Sequence, residues 1–251
     1  MNVLAFFAHP DDETVLAGGT LALLAQNQAM VHYLCATRGE GGEVGEPPLC
    51  TRQELGRVRE REMECAVQHL GGSGLIFLDY IDPLIGEGEK LHPYSEDLDT
   101  LVGKVVHHIQ RLKPAALITH GSNGEYGHPA HVLTYQASCR ALLSMGAEKP
   151  VLYTISPTFA DHPRPRLANS NDPAHLVLDI TPVIERKTQA ALCHRTQHAL
   201  FVRRSSKEAG RALTVPEVLM RIEGLHRAHP PVIDGLDDPV AELLHRWVFM
   251  G

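Results

Sequence analysis

The densest chemistry in the chain follows directly on the apolar run Val3-Leu4-Ala5-Phe6-Phe7, in the stretch Ala8-His9-Pro10-Asp11-Asp12-Glu13. His9 and Asp12 are three residues apart, so once the chain turns helical near Pro10 they share a face and converge on a point that suits a divalent metal. A helix start explains part of this, because proline at the first helical position and acids in the first turn are ordinary capping and dipole chemistry. It gives no reason for His9, or for so many ionisable groups after a buried strand. A second stretch repeats the geometry: the apolar Ala115–Thr119 is followed by His120-Gly121-Ser122-Asn123-Gly124-Glu125-Tyr126-Gly127-His128-Pro129-Ala130-His131. Together His9, Asp12, His128 and His131 offer nitrogen and oxygen donors from two strand ends. Three protein ligands with a fourth position open to water suit a catalytic zinc, which lowers that water's pKa toward about 7. Asp11 points away from Asp12 on a helix start and is free to hold the water. Spacing does not decide which of His128 and His131 completes the shell.

The elements that must position these residues alternate. Strands are expected at Val3–Phe7, Val31–Ala36, Leu75–Leu78, Ala115–Thr119, Val151–Ser156 and His175–Ile180. Helices are expected at Thr14–Gln26, Thr51–Leu70, from the Ser95 cap to Leu112, and at Pro129–Met145, Pro182–Arg195, Pro216–His229 and Pro239–Phe249. Thr51 and Glu54 form a possible capping box, and Gly18-Gly19 suits close packing of the first helix on the sheet. The segment Pro157–Ala174 reads as a long loop and a lid over the sheet edge. The fold class is α/β: a Rossmann-like, doubly wound, mostly parallel sheet with helices on both faces, which does its chemistry at the carboxyl edge of the strands. The glycine-rich loop Thr37-Arg38-Gly39-Glu40-Gly41-Gly42-Glu43 lies at that edge, but it lacks a phosphate-binding fingerprint and its glutamates repel pyrophosphate.

With 251 residues, 43% of them hydrophobic, and a net charge of -7, the chain suits one soluble globular domain with a core to about 200 and a helical extension over 201–251. The acidic balance argues against a nucleic-acid or membrane-surface partner, and a homo-oligomer is left open. Cys35, Cys50, Cys65, Cys139 and Cys193 are odd in number and widely spaced, so they read as reduced thiols. Without a basic leader or an apolar run of roughly 18 residues, a cytoplasmic location is expected. Ten further histidines, at 32, 69, 92, 107, 108, 162, 175, 226, 229 and 245, have no partner pattern and read as surface or satisfied core residues.

The paired stretches Ala8–Glu13 and Tyr126–His131 resemble the signature of the PIG-L/LmbE-like zinc-dependent N-deacetylases. The likeness extends to Thr37–Glu43, to Arg59 and Glu62 with Ala66 and Leu70-Gly71, and to Lys187, Ala191, His194 and Gln197. It covers about residues 1–200. The resemblance implies zinc on His9, Asp12 and His131, with iron(II) also suited to these ligands. It implies Asp11 as general base, His128 at the tetrahedral intermediate and Tyr126 near the acetyl carbonyl. It also implies Arg59 and Asp82 at sugar hydroxyls, with Glu43 and His194 among the substrate-facing residues. One position departs from the family pattern: Ala130 stands where an aspartate often orients the histidine, so Asp82, Glu125 or water would have to substitute. The reading is a hydrolase removing acetyl from an N-acetylglucosamine-containing small molecule. An amidase for thiol S-conjugates or acylated natural products, and a binding protein with a vestigial metal motif, are the alternatives.

Overall fold

A computed structural model describes residues 1–146 and 148–248. In chain order the main elements are β1 (Asn2–Phe7), α1 (Asp12–Gln26), β2 (Met30–Thr37), α2 (Leu55–Leu70), β3 (Gly74–Tyr80), α3 (Leu98–Leu112), β4 (Ala116–Thr119) and α4 (Pro129–Ser144). There follow β5 (Val151–Ile155), β6 (Pro157–Thr158), β7 (Asn169–Pro173), β8 (Leu176–Asp179), α5 (Ile184–Cys193), α6 (His198–Ala209), β9 (Ile222–His229) and α7 (Pro239–Leu244). The principal sheet has the order β3-β2-β1-β4-β5-β9-β8, parallel from β3 to β5, with β9 antiparallel to both of its neighbours. β1 is buried on both faces, which is why it reads as an unbroken apolar run. Its alternate residues serve two cores: Val3, Ala5 and Phe7 pack with α1, α2 and α5, while Leu4, Phe6 and Ala8 pack with α3 and α4. From β1 the sheet grows first toward β2 and then, on its other side, toward β4. The loops after β1 and β4 therefore meet at the reversal point, where such sheets bind ligands.

Several expectations are corrected. The helix expected over Pro216–His229 is a single turn, Val215–Val218, followed by β9. Glu223 and Arg227 mimic a solvated helix in sequence, yet both are buried and paired, Glu223 with Lys187 and Arg227 with Asp237 and Asp238. The region after 200 thus supplies an inner strand of the sheet rather than a helical extension. α6 was not anticipated, α7 ends at Leu244, and Phe249, the expected end of that last helix, lies outside the described residues. Asp97, not Ser95, caps α3, its carboxylate accepting from Thr100 N at 3.0 Å. Cys65 and Cys193, 128 residues apart, form a disulfide between α2 and α5, whereas Cys35, Cys50 and Cys139 are free. Segment 157–174 is no simple lid: β6 pairs with β7, and the buried Asn169 and Asp172 bond to the backbone of the loop after β4.

The two glycines of α1 mark where an ion pair presses on the helix. Glu223 accepts from Gly19 N (2.8 Å), Thr20 N (2.7 Å), Thr20 Oγ1 (2.7 Å) and Lys187 Nζ (2.7 Å), and Lys187 also donates to Val15 O (3.2 Å). A Cβ on Gly19 would lie 2.5 Å from Ile180 Cβ, and one on Gly18 would lie 3.3 Å from Lys187 Cγ. Both charges are fully enclosed, so removing one partner strands the other in a low dielectric. Glu223→Gln or Lys187→Met should each cost about 3–5 kcal/mol in urea denaturation. The double variant Lys187→Met/Glu223→Leu should recover part of that loss, and singles within about 1 kcal/mol of the parent would show that the pair is dispensable.

Candidate metal centre

β1 ends at Phe7 and the chain bends sharply before α1, with Asp11 in the left-handed region at φ 114°. An L-residue there is strained by about 1–3 kcal/mol, a cost that persists only where neighbours enforce it. Glu13 Oε2 accepts from Asp11 N at 2.9 Å, and Arg59 of α2 donates to Pro10 O, to Gly39 O (3.0 Å) and to Asp11 Oδ2 (3.0 Å). The Asp11 carboxylate makes no capping bond to α1, so helix-start chemistry does not account for it. Asp12 Oδ2 accepts from His9 N at 2.9 Å, which fixes that carboxylate under the His9 ring.

The loop after β4 supplies the other half. His120 Nε2 accepts from Ala8 N at 3.1 Å, which places the His120 proton on Nδ1, 3.0 Å from Glu125 Oε2. The same carboxylate oxygen lies 2.6 Å from His131 Nδ1. Glu125 thereby fixes the His131 tautomer and leaves Nε2 as the group facing the cluster. That Nε2 is buried, has no hydrogen-bond partner and lies 3.4 Å from Asp12 Oδ1. His9 Nδ1 is 3.3 Å from Asp12 Oδ2, and His9 Nε2 is 3.3 Å from Asp82 Oδ1. The donor atoms fall into two overlapping sets, His9–His128–His131 and Asp12–His120–His131, each with all donors within 4.8 Å of one another. The expected His9, Asp12 and His131 are thus brought together, with His120 and His128 in reach of the same space. This donor set can hold a divalent ion.

Electrostatics favour positive charge here. Burial alone would lower His9, yet the carboxylates of Asp82 and Asp12 lift it to about 9. Burial also opposes the Asp12 anion, but His131 and His120 hold its carboxyl well below the usual range. Asp11 is pushed up to about 6 because burial, aided by Asp12 and Glu13, outweighs the pull of Arg59. His128 is driven down to about 3 by burial and by the neighbouring His131 and His9. Its Nδ1 accepts from Ala130 N at 3.2 Å, so the neutral ring carries its proton on Nε2. The backbone N–H of Ala130 therefore does the orienting expected of a missing carboxylate.

A cavity of about 280 Å³ opens beside the cluster, lined by His9, Asp11, Asp12, His128, Asp82 and the Gly41-Gly42 loop. Tyr126 stands at its lip, 55% exposed, with its ring edge-on to His128 and His131 at 5.6 Å. Glu43 is on the rim, its carboxylate held by Arg203 at 2.6 and 2.8 Å. Arg59 borders the cavity and donates to Pro10 O, Gly39 O and Asp11 Oδ2, which positions Asp11 and leaves its buried Nε without a partner. One expected substrate contact is corrected. His194 is fully enclosed, with Nε2 on Glu13 Oε1 at 2.8 Å, and lines no part of this cavity. His120 went unassigned in the sequence, where its only signal was its place immediately after a buried strand, and Glu125 entered only as one candidate for the missing orienting carboxylate. His92, read as a surface or core residue, is on the cavity wall.

The family model described as "PIG-L: GlcNAc-PI de-N-acetylase" matches residues 4–142. A 1D-myo-inositol 2-acetamido-2-deoxy-alpha-D-glucopyranoside deacetylase of Catenulispora acidiphila is 34% identical over 158 residues, 57% of this chain and 44% of that protein. A probable N-acetyl-alpha-D-glucosaminyl L-malate deacetylase of Bacillus cereus is 31% identical over 199 residues, 78% of this chain and 83% of its own. The chain thus spans about half the length of the first of these relatives and most of the second. Among solved structures, a 4-carboxy-2-hydroxymuconate hydratase from Pseudomonas putida aligns over 94% of this chain and 99% of its own, with a TM-score of 0.63 and 23% identity, a likeness of fold. Among the described residues no helix is long and apolar enough to cross a membrane. The family match runs from β1 through α4 and takes in both loops that build the His–Asp cluster, and by it the chain belongs to the PIG-L family.

Proposed function

We propose that the protein is a metal-dependent hydrolase that removes the acetyl group from an N-acetylglucosamine-containing small molecule, with zinc held by His9, Asp12 and His131. The observation that carries this reading is the buried, unpartnered His131 Nε2, aimed at Asp12 and set by Glu125 on the ring's other nitrogen. Iron(II) suits the same donors. When bound, the ion supplies Lewis acidity at their common focus. Asp11, held near 6 and steered by Arg59, takes the proton of the attacking water. The Nε2–H of neutral His128 donates to the oxygen that becomes anionic as the carbonyl is attacked. Tyr126 closes the cavity from its lip, and Asp82 offers an acceptor to sugar hydroxyls from the wall. The family description and the names of the relatives support acetyl as the acyl group and an amidosugar as the substrate. A cytoplasmic location belongs to this proposal too, and the Cys65–Cys193 disulfide weighs against it.

Two measurements test the reading. Protein loaded with zinc should release acetate from an N-acetylglucosamine conjugate, lose that activity on dialysis against a chelator and regain it on adding the metal. Absence of acetate from every N-acetylhexosamine conjugate would remove the substrate assignment. Asp11→Asn, which tolerates the left-handed backbone, should keep stoichiometric zinc by elemental analysis yet lose turnover by about a hundredfold or more. His131→Ala should lose the metal itself. If Asp11→Asn loses zinc and turnover simply tracks occupancy, base and ligand must exchange places.

A further inference from the structure

A second cavity, of about 790 Å³, shares Asp11, Asp12, Tyr126 and Leu200 with the first. Its apolar surface comes from Val15 and Leu16 of α1, Leu167 and Phe201. Five cations and one acid line the remainder: Arg164, Arg166, Arg203, Arg204 and Lys207, with Glu208. Two of them are answered, Arg203 by Glu43 and Arg204 by Glu208 at 2.8 Å. Among the described residues, Arg164, Arg166 and Lys207 have no carboxylate within ion-pair distance. In a chain of net charge -7, this concentration beside a cavity is not a consequence of composition. The cations also repel one another: burial and Arg166 hold Arg164 below its ordinary range, and burial and Arg204 do the same to Arg166, although Glu208 pulls both the other way. One acid faces five cations there, so a further anion among them would relieve the remaining repulsion, whereas Asp11 and Asp12 repel an anion at the end shared with the first cavity.

We propose that this cavity is an anion-docking subsite that takes a carboxylate- or phosphate-bearing arm of the substrate, its stem against Val15, Leu16, Leu167 and Phe201 and its uncharged amide at the Asp11 end. The proposal rests on the hydrolase reading for the position of the amide and on the cavity for the anion. Binding energy collected at this remote rim would orient the amide against Asp11 and His128. The arm lies on either side of the scissile bond, on the sugar's aglycone or on its acyl group, and the chemistry that recognises it is the same.

Calorimetry with three probes tests it: N-acetylglucosamine, N-acetylglucosamine 1-phosphate with the anion on the sugar, and N-succinylglucosamine with the anion on the acyl group. At low salt, one anionic probe should bind at least about tenfold tighter than the neutral sugar, a gain that shrinks as salt is raised. In Arg166→Ala/Lys207→Ala, whose truncated side chains are exposed, the gain should fall below about threefold. Which probe gains tells which arm carries the charge. The subsite is overturned if neither anion outbinds the neutral sugar, or if the double variant keeps the full gain. Acetate release from N-acetylglucosamine, followed in the same preparations, reports the hydrolase reading separately. Anion binding without turnover removes the activity and keeps the subsite, and turnover without anion preference does the reverse.

Discussion

The parallel pairing of β1 with β4 is the constraint on which the site depends. Its register, Val3↔Ala116 through Phe6↔Thr119, brings together two loops more than a hundred residues apart in sequence. Ala8 N on one loop then donates to His120 Nε2 on the other, joining them one step past the sheet edge. A single-residue slip would turn Leu4, Phe6 and Ala8 out of the core they share with α3 and α4. Burial on both faces of β1 therefore guards the register, and the register brings His9 and Asp12 up against His131.

Beyond the strands, the site is held by buried carboxylates that face inward from behind it. Glu13 ties the strained Asp11 backbone to His194, and Glu125, itself at φ 60°, ties His120 to His131. Asn169 anchors Glu125 in turn, its Nδ2 3.2 Å from Glu125 Oε1 and its Oδ1 accepting from Glu125 N at 3.1 Å. Neither glutamate belongs to the proposed ligand set, yet each fixes a ring nitrogen or a backbone turn that the set requires. The segment read as a lid is in this respect a buttress.

Much of this was legible in the sequence where buried strands are apolar and where proline-led helices follow them. β1, β4 and the two polar loops declare themselves in that way, and the residue types at 9, 12, 128 and 131 already suit a metal, although the choice between 128 and 131 came from the family resemblance. What stayed hidden has a common cause: a sequence shows which groups are present, not which way they face. Glu223 and Arg227 look like solvated helix residues because their partners, Lys187 and Asp238, lie 36 and 11 residues away. His194 carries a ring that a sugar could use, but the fold encloses it and turns it onto Glu13. The Cys65–Cys193 bridge depends on α2 lying against α5, which no spacing rule encodes.

Ala130 bears on the role that His128 can take. A carboxylate there would stabilise the His128 imidazolium and make the ring an acid. With alanine there, burial and the neighbouring His131 and His9 drive the ring toward its neutral form, and the Ala130 backbone N–H bonds to its Nδ1. In the proposed reaction a neutral His128 would donate a hydrogen bond to the developing oxyanion, and Asp11, having taken the water's proton, would pass it to the leaving amine. Burial, aided by Asp12 and Glu13, raises Asp11 above the usual carboxylate range, the direction that suits a group meant to take a proton from water. The burial that makes Asp11 costly to ionise would thus let one carboxylate serve both steps of the proposed reaction, while Arg59, bonded to that carboxylate, limits the rise.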